Sequence, residues 1–324
     1  MGISRLRRLR ASKAIRDLAS ETKLDKQSLV LPYFIVDGKG IKREIKSMPG
    51  IYHFSPDMLA ADVADAYMKG IRTILLFGVS DKKESHAEPA YAPDNAVERA
   101  IRILRKEFSP NDNSENLTIM TDVCVCGYTP HGHCGIVDEN GRVDNDKTLP
   151  LLINMAENHA EAGADFVAPS AMMDGQVGAI RDALDGSGYA HTGIMAYSAK
   201  YASHFYSPFR DAVQSAPQFG DRTTYQMDFR NADEAVREAA IDIKEGADIV
   251  MVKPALAYLD VIYRIKQAHH VPLAAYNVSG EYVLLKQKES RLERNLVLEV
   301  MTAIKRAGAD IIITYFARDL CRWL

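Results

Sequence analysis

Three segments, AGADFVAPS (162–170), EGADIVMVKP (245–254) and AGADIIITYF (307–316), follow one pattern. Each passes from a helix end through a Gly-Ala-Asp turn into a short, unbroken apolar run. KGIRTILLF (69–77) is a looser fourth copy. Apolar runs without alternation suit strands buried on both faces, as in a parallel sheet. A repeated αβ unit therefore predicts a parallel sheet whose strands are joined by helices.

Working outward, the same kind of run occurs eight times. Strands are predicted at LVLPYFIV (29–36), TILLFGV (73–79), LTIMTDVCV (117–125), FVAPSA (166–171), GIMAYSA (193–199), IVMVKPA (249–255), LAAYNV (273–278) and IIITYFA (311–317). Helical spacing near 3.6 lies between them at 58–70, 149–163, 232–246 and 292–308, each ending in Gly, a common helix stop. Eight strands with intervening helices predict a (β/α)8 TIM barrel over residues 29–324. An open doubly wound sheet is the alternative, but no Gly-rich dinucleotide fingerprint supports it. Residues 1–28 precede the first strand and carry Arg5, Arg7, Arg8 and Arg10. They read as an N-terminal arm that packs on a neighbouring subunit, or as a frayed tail.

The 324 residues fall within the range of one such barrel. A net charge of −3 gives no global attraction to nucleic acid. No apolar run reaches membrane-spanning length. The basic start MGISRLRRLR lacks a following apolar region, and Gly2 lacks the Ser or Thr of a myristoylation signal at Leu6. Four cysteines without a secretory signal point to a reducing, cytoplasmic location, where clustered thiols more often hold metal than form disulfides.

Barrel enzymes build their sites at the C-terminal ends of the strands. There the chain offers Asp122, Cys124 and Cys126, then Ser170, Lys200, Lys253, Ser279 and Tyr315. A lysine in a buried run such as IVMVKPA loses its proton readily, and a second ammonium nearby favours that further. A neutral amine attacks ketones to form a Schiff base. The long segment 201–231 carries Arg210 and Arg222 and reads as a lid or binding loop able to clamp a carboxylate. In DVCVCGYTPHGHCG (122–135), alternation sends Cys124 and Cys126 to one face, and the Gly-rich turn brings Cys134 back. Three thiolates suit zinc. A closed structural site would add His131 or His133. A catalytic site would leave the fourth position open, and the location at a strand end favours that.

Taken in order, DVCVCGYTPHGHCG, PSAMMDGQVGAIR, YSAKYAS, FYSPFRDA, GDRTTYQMD, MVKPA, YNVSGEY and TYFA resemble the 5-aminolevulinate dehydratase (porphobilinogen synthase) family across essentially the whole chain. The resemblance implies a lyase of tetrapyrrole and haem biosynthesis that joins two 5-aminolevulinate molecules into porphobilinogen with loss of two waters. It implies Schiff bases on Lys253 for the A-side substrate and on Lys200 for the P-side substrate. Arg210, Arg222 and Gln226 would hold the P-side carboxylate, and Ser279 and Tyr315 the A-side one. Ser170, Asp122 and Tyr197 would line the site. Cys124, Cys126 and Cys134 match the zinc-dependent branch and would hold a catalytic zinc. Glu238 matches the position of an activating, allosteric magnesium. The family's usual octamer, with arms embracing neighbouring barrels, would give residues 1–28 a role. Two other readings compete. A class I aldolase needs one such lysine and no thiolate site, and a non-catalytic zinc scaffold leaves both lysines unexplained.

Overall fold

The computed structural model describes residues 3–108, 117–287 and 289–324. Gly2, considered above as a lipidation site, lies outside them. Eight parallel strands form the barrel: β1 (Leu29–Val36), β2 (Thr73–Val79), β3 (Thr118–Val123), β4 (Phe166–Pro169), β5 (Gly193–Lys200), β6 (Ile249–Lys253), β7 (Leu273–Asn277) and β8 (Ile311–Thr314). Each pairs with the next, and β1 closes the ring on β8 through Leu29↔Ile312 and Val30↔Ile313. Every residue of β1, β6 and β7 is buried, as the unbroken apolar runs require. The (β/α)8 TIM barrel is the fold.

The helices around it are α1 (Pro56–Met68), α2 (Ala96–Glu107), α3 (Asn145–Ala162), α4 (Gln176–Gly186), α5 (Asp233–Lys244), α6 (Leu259–Ala268), α7 (Ser290–Ala307) and α8 (Ala317–Trp323). α3 begins four residues before its apolar pattern does, because the Asp144 side chain accepts from Lys147 N and caps it.

The Gly-Ala-Asp repeat has a physical explanation. The glycine after α3, α5 and α7 takes positive φ (107°, 105° and 124°), which ends the helix. The aspartate then ties its strand to the strand before. Asp165 Oδ2 accepts from Ile119 N (2.7 Å), Asp248 Oδ2 from Ile194 N (2.8 Å) and Asp310 Oδ2 from Leu273 N (2.9 Å). These staples sit at the N-terminal ends of the strands, opposite the predicted site.

At the C-terminal end the β1–β8 seam opens. There the short strand Tyr52–Phe54 pairs with β1 (Phe34↔His53), and Lys42–Glu44 pairs antiparallel to it. Residues 3–28 form three short helical turns, Leu6–Arg10, Lys13–Leu18 and Lys26–Ser28, that bury no residue.

Candidate active site

The two lysines meet at the ends of β5 and β6. In the ladder Lys253 pairs with Lys200 and Val252 with Ala199, while Val250 pairs with Ala196. Two steps on β6 thus match three on β5, so β5 carries one extra residue, a bulge. In a regular strand residues three apart face opposite ways. The bulge lets Tyr197 and Lys200 both turn inward, while Ser198 faces out toward the Asp242 carboxylate of α5.

Lys253 is buried among aromatic rings. Its Nζ lies 4.5 Å from the ring centre of Tyr276, 4.9 Å from Phe209, 5.0 Å from Tyr197 and 5.2 Å from Tyr206. Burial, and then the neighbouring Lys200 charge, bring its pKa down to about 7. Ring faces stabilise the cation that the ladder disfavours, so both protonation states are accessible near neutrality. Lys200 Nζ donates to the Ser170 carbonyl. Asp122, near the end of β3, is pushed up to about 6 by burial, against the pull of Lys200, a Ser170 hydrogen bond and Lys253. A neutral amine thus lies beside a carboxyl group able to carry a proton, which equips the site for Schiff-base and acid–base chemistry at a ketone.

The enclosed cavity is lined by Asp122, Cys126, Ser170, Lys200, Arg222, Lys253, Tyr206 and Phe209. It leaves about 10 Å³ for the centre of a water molecule, room for one. Tyr206 and Phe209 come from segment 201–231, which closes the barrel mouth. The remaining predicted residues are distributed around this cavity rather than in it. Arg210 shares an outer cleft with Arg222. Ser279 is turned to the closing segment, accepting from Phe209 N at 3.0 Å and donating to the Phe205 carbonyl at 3.3 Å. Tyr315 bonds Tyr276 hydroxyl to hydroxyl at 3.0 Å and lines a cleft at the opened seam. Arg210 Nε, Arg222 Nε and both terminal atoms of Gln226 are buried without partners. The three orphaned donors of this set, Arg210 Nε, Arg222 Nε and Gln226 Nε2, all on the closing segment, are what a carboxylate ligand would satisfy.

Two glycines permit this closure. A Cβ on Gly280 would lie 2.5 Å from the Phe205 carbonyl oxygen, and one on Gly132 would lie 2.6 Å from that of Ala216. Only a bare backbone lets the helix Ser279–Leu285 after β7 and the loop after β3 approach the segment so closely.

The sulfurs of Cys124, Cys126 and Cys134 all lie within 4.8 Å of one another and are buried. β3 ends at Val123, so it is the turn that follows, rather than strand alternation, that converges them. Hydrogen bonds with Cys124 and Cys126 hold Cys134 well below the usual thiol range, whereas those with Cys126 and Cys134 hold Cys124 above it. A buried triad of sulfurs, with Cys134 favoured as thiolate, fits a soft divalent metal. Neither histidine joins the cluster among the described residues. His133 is committed to the Tyr225 hydroxyl and the Phe219 carbonyl (both 3.1 Å), and His131 Nδ1 accepts from His133 N.

Glu238 stands apart, on α5 in an outer acidic cavity with Asp174, Glu234, Asp242 and Glu245. Burial, followed by repulsion from Asp174 and Glu234, raises its pKa.

The family model described as delta-aminolevulinic acid dehydratase matches residues 3–323. The chain belongs to the delta-aminolevulinic acid dehydratase family. Among curated members of that family, the delta-aminolevulinic acid dehydratases of Staphylococcus epidermidis (strain ATCC 12228 / FDA PCI 1200) and Staphylococcus aureus (strain Mu50 / ATCC 700699) are 50% and 48% identical. Both alignments span 100% of this chain and 99% of the relative. A solved delta-aminolevulinic acid dehydratase (porphobilinogen synthase) from Toxoplasma gondii ME49, in complex with the reaction product porphobilinogen, is 43% identical. It superposes with a TM-score of 0.94, covering 100% of this chain and 92% of that one. What the sequence did not reveal for this dehydratase family member is the aromatic cage of Tyr206, Phe209 and Tyr276. The aromatic content of 201–231 was the available signal, but which rings turn toward Lys253 depends on how that segment folds back.

Proposed function

We propose that this chain condenses two molecules of 5-aminolevulinate to porphobilinogen with loss of two waters, as a lyase of tetrapyrrole and haem biosynthesis. The observation that carries the reading is the side-by-side pair Lys200 and Lys253, one of them poised near pH 7, inside a barrel of the dehydratase family. In this reading Lys253 attacks the ketone of the A-side substrate and Lys200 that of the P-side substrate, each expelling water to form a Schiff base. Tethering both substrates makes the condensation effectively unimolecular. Asp122 exchanges protons with the two amines, and Tyr197 and Ser170 line the reacting space. The orphaned donors of Arg210, Arg222 and Gln226 receive the P-side carboxylate under the lid, and Ser279 and Tyr315 the A-side one.

Cys124, Cys126 and Cys134 would hold zinc, which when bound supplies Lewis acidity or an acidified water at the A-side. Glu238 would hold an activating magnesium, supported by its place in a cavity lined by six carboxylates, Asp228 being the sixth. The arm would join copies into a homo-oligomer, in the family's octameric manner, and the exposed Ile3, Leu6, Leu9 and Leu18 support that role. Among the described residues no helix is long and apolar enough to cross a membrane. Reduced, buried cysteines suit the cytoplasm.

The test is a colour assay for porphobilinogen from 5-aminolevulinate under reducing conditions. Product is expected with zinc present, lost on chelation and restored by zinc. No product under any metal condition, from folded protein, would move a class I aldolase reading to the front.

A further inference from the structure

We propose that His53 is a positioning residue that holds the segment bearing Phe209 and Arg210 closed over the two lysines, through one hydrogen bond to its main chain. The proposal deepens the reading above and rests on it for its kinetic part. His53 lies on the strand Tyr52–Phe54 that fills the opened seam, opposite Phe34 of β1. It is 7% exposed, and its ring stands edge-on to Phe34 (6.1 Å, 80°). It does not line the cavity.

Its Nε2 lies 2.6 Å from the Ala212 carbonyl oxygen. A carbonyl can only accept, so Nε2 carries the hydrogen. Nδ1 is a buried acceptor with no partner, so the bond to Ala212 is the one hydrogen bond the ring makes among the described residues. Ala212 ends the six-residue helix Ser207–Ala212, where helix termination leaves carbonyls without a partner. The other attachments from this side are softer. Ser47 Oγ reaches the Pro208 carbonyl at 3.3 Å, and Lys83 bonds the Gln214 carbonyl at the end of a long flexible stem. Among these three His53 is the rigid, buried anchor; the buried Ser279 hydroxyl, which accepts from Phe209 N, is a second one on the β7 side.

The orientation of this short helix sets two things at once. It places Phe209 against Lys253 and Arg210 in the outer cleft beside Arg222. The Lys200–Lys253 ladder belongs to the barrel and does not depend on it. Releasing the helix should therefore weaken the hold on substrate, while the ladder and the rings of Tyr197 and Tyr276, carried by the barrel strands, keep the surroundings of Lys253 largely in place.

The experiment compares His53→Phe, which keeps the ring volume and the edge contact with Phe34, with His53→Gln, which supplies a replacement donor. His53→Phe is expected to raise KM for 5-aminolevulinate about tenfold while kcat stays within about twofold. Trypsin should cut it faster at Arg210 than it cuts the wild-type protein. His53→Gln should recover both properties. If His53→Phe fails to fold, His53→Met replaces it with the same expectation. Wild-type KM and cleavage in the apolar variant would overturn the proposal. So would a glutamine variant as impaired as the phenylalanine one, which would assign the effect to the ring rather than the bond. Absence of wild-type turnover would sink the substrate assignment instead, and the cleavage comparison would still decide the anchor.

Discussion

Lys253 stands directly opposite Lys200 across the β5–β6 ladder, and it does so through the one-residue bulge in β5 between Ala196 and Ala199. The bulge turns Tyr197 and Lys200 to the same interior, so two ammonium groups compete in a buried space. The result is one amine with a pKa brought down to about 7 by burial and by its neighbour.

Reduction with borohydride in the presence of 5-aminolevulinate should trap a substrate adduct on Lys253, located by peptide mapping. Lys253→Ala should lower kcat/KM by about a thousandfold or more. An adduct confined to Lys200 would reverse the roles of the two lysines.

Cys126→Ala combined with Cys134→Ala should abolish tight zinc binding, because one remaining thiolate cannot replace three. Elemental analysis of the purified variant decides this. Zinc retained at one ion per chain would place the metal elsewhere.

Glu238→Ala should remove stimulation by magnesium and leave zinc content unchanged. Its carboxylate lies in the outer acidic cavity, away from the cysteine turn. Stimulation that survives the substitution would rule out Glu238 as the ligand.

His159 makes a prediction about stability. Its ring is buried on α3 with neither nitrogen partnered, and burial alone lowers its pKa from 6.5 to about 3. Below pH 6.5 the unfolded chain binds a proton that the folded chain refuses, so this group destabilises the fold progressively on acidification. The slope approaches about 1.4 kcal/mol per pH unit between those values. Denaturant unfolding of wild type and His159→Leu at pH 7.5 and 5.5 isolates it. Leucine should gain relative stability at the lower pH, and parallel behaviour of the two proteins would contradict the assignment.

The barrel was legible because burial on both faces leaves a plain signature. LVLPYFIV and TILLFGV match β1 and β2 residue for residue. The cysteine triad was legible from composition, although its convergence comes from a turn after Val123 rather than from strand alternation. Lys253 announced itself as a charge inside an apolar run. Lys200 did not, because its inward aim depends on a bulge, and a bulge is a relationship between two strands that neither sequence contains. The same holds for the cage: Tyr206 and Phe209 reach Lys253 only when Gly280 and His53 let their segment fold back. Arg210 was nameable from its long loop and Gln226 by resemblance, yet their unsatisfied donors exist only in three dimensions.

The aspartates of the Gly-Ala-Asp turns have a consequence for engineering. Asp165, Asp248 and Asp310 clamp strand pairs at the end of the barrel remote from both lysines. Heat tolerance can therefore be raised or lowered from that end while turnover is tuned from the other, so a library designer has two nearly independent dials on one chain.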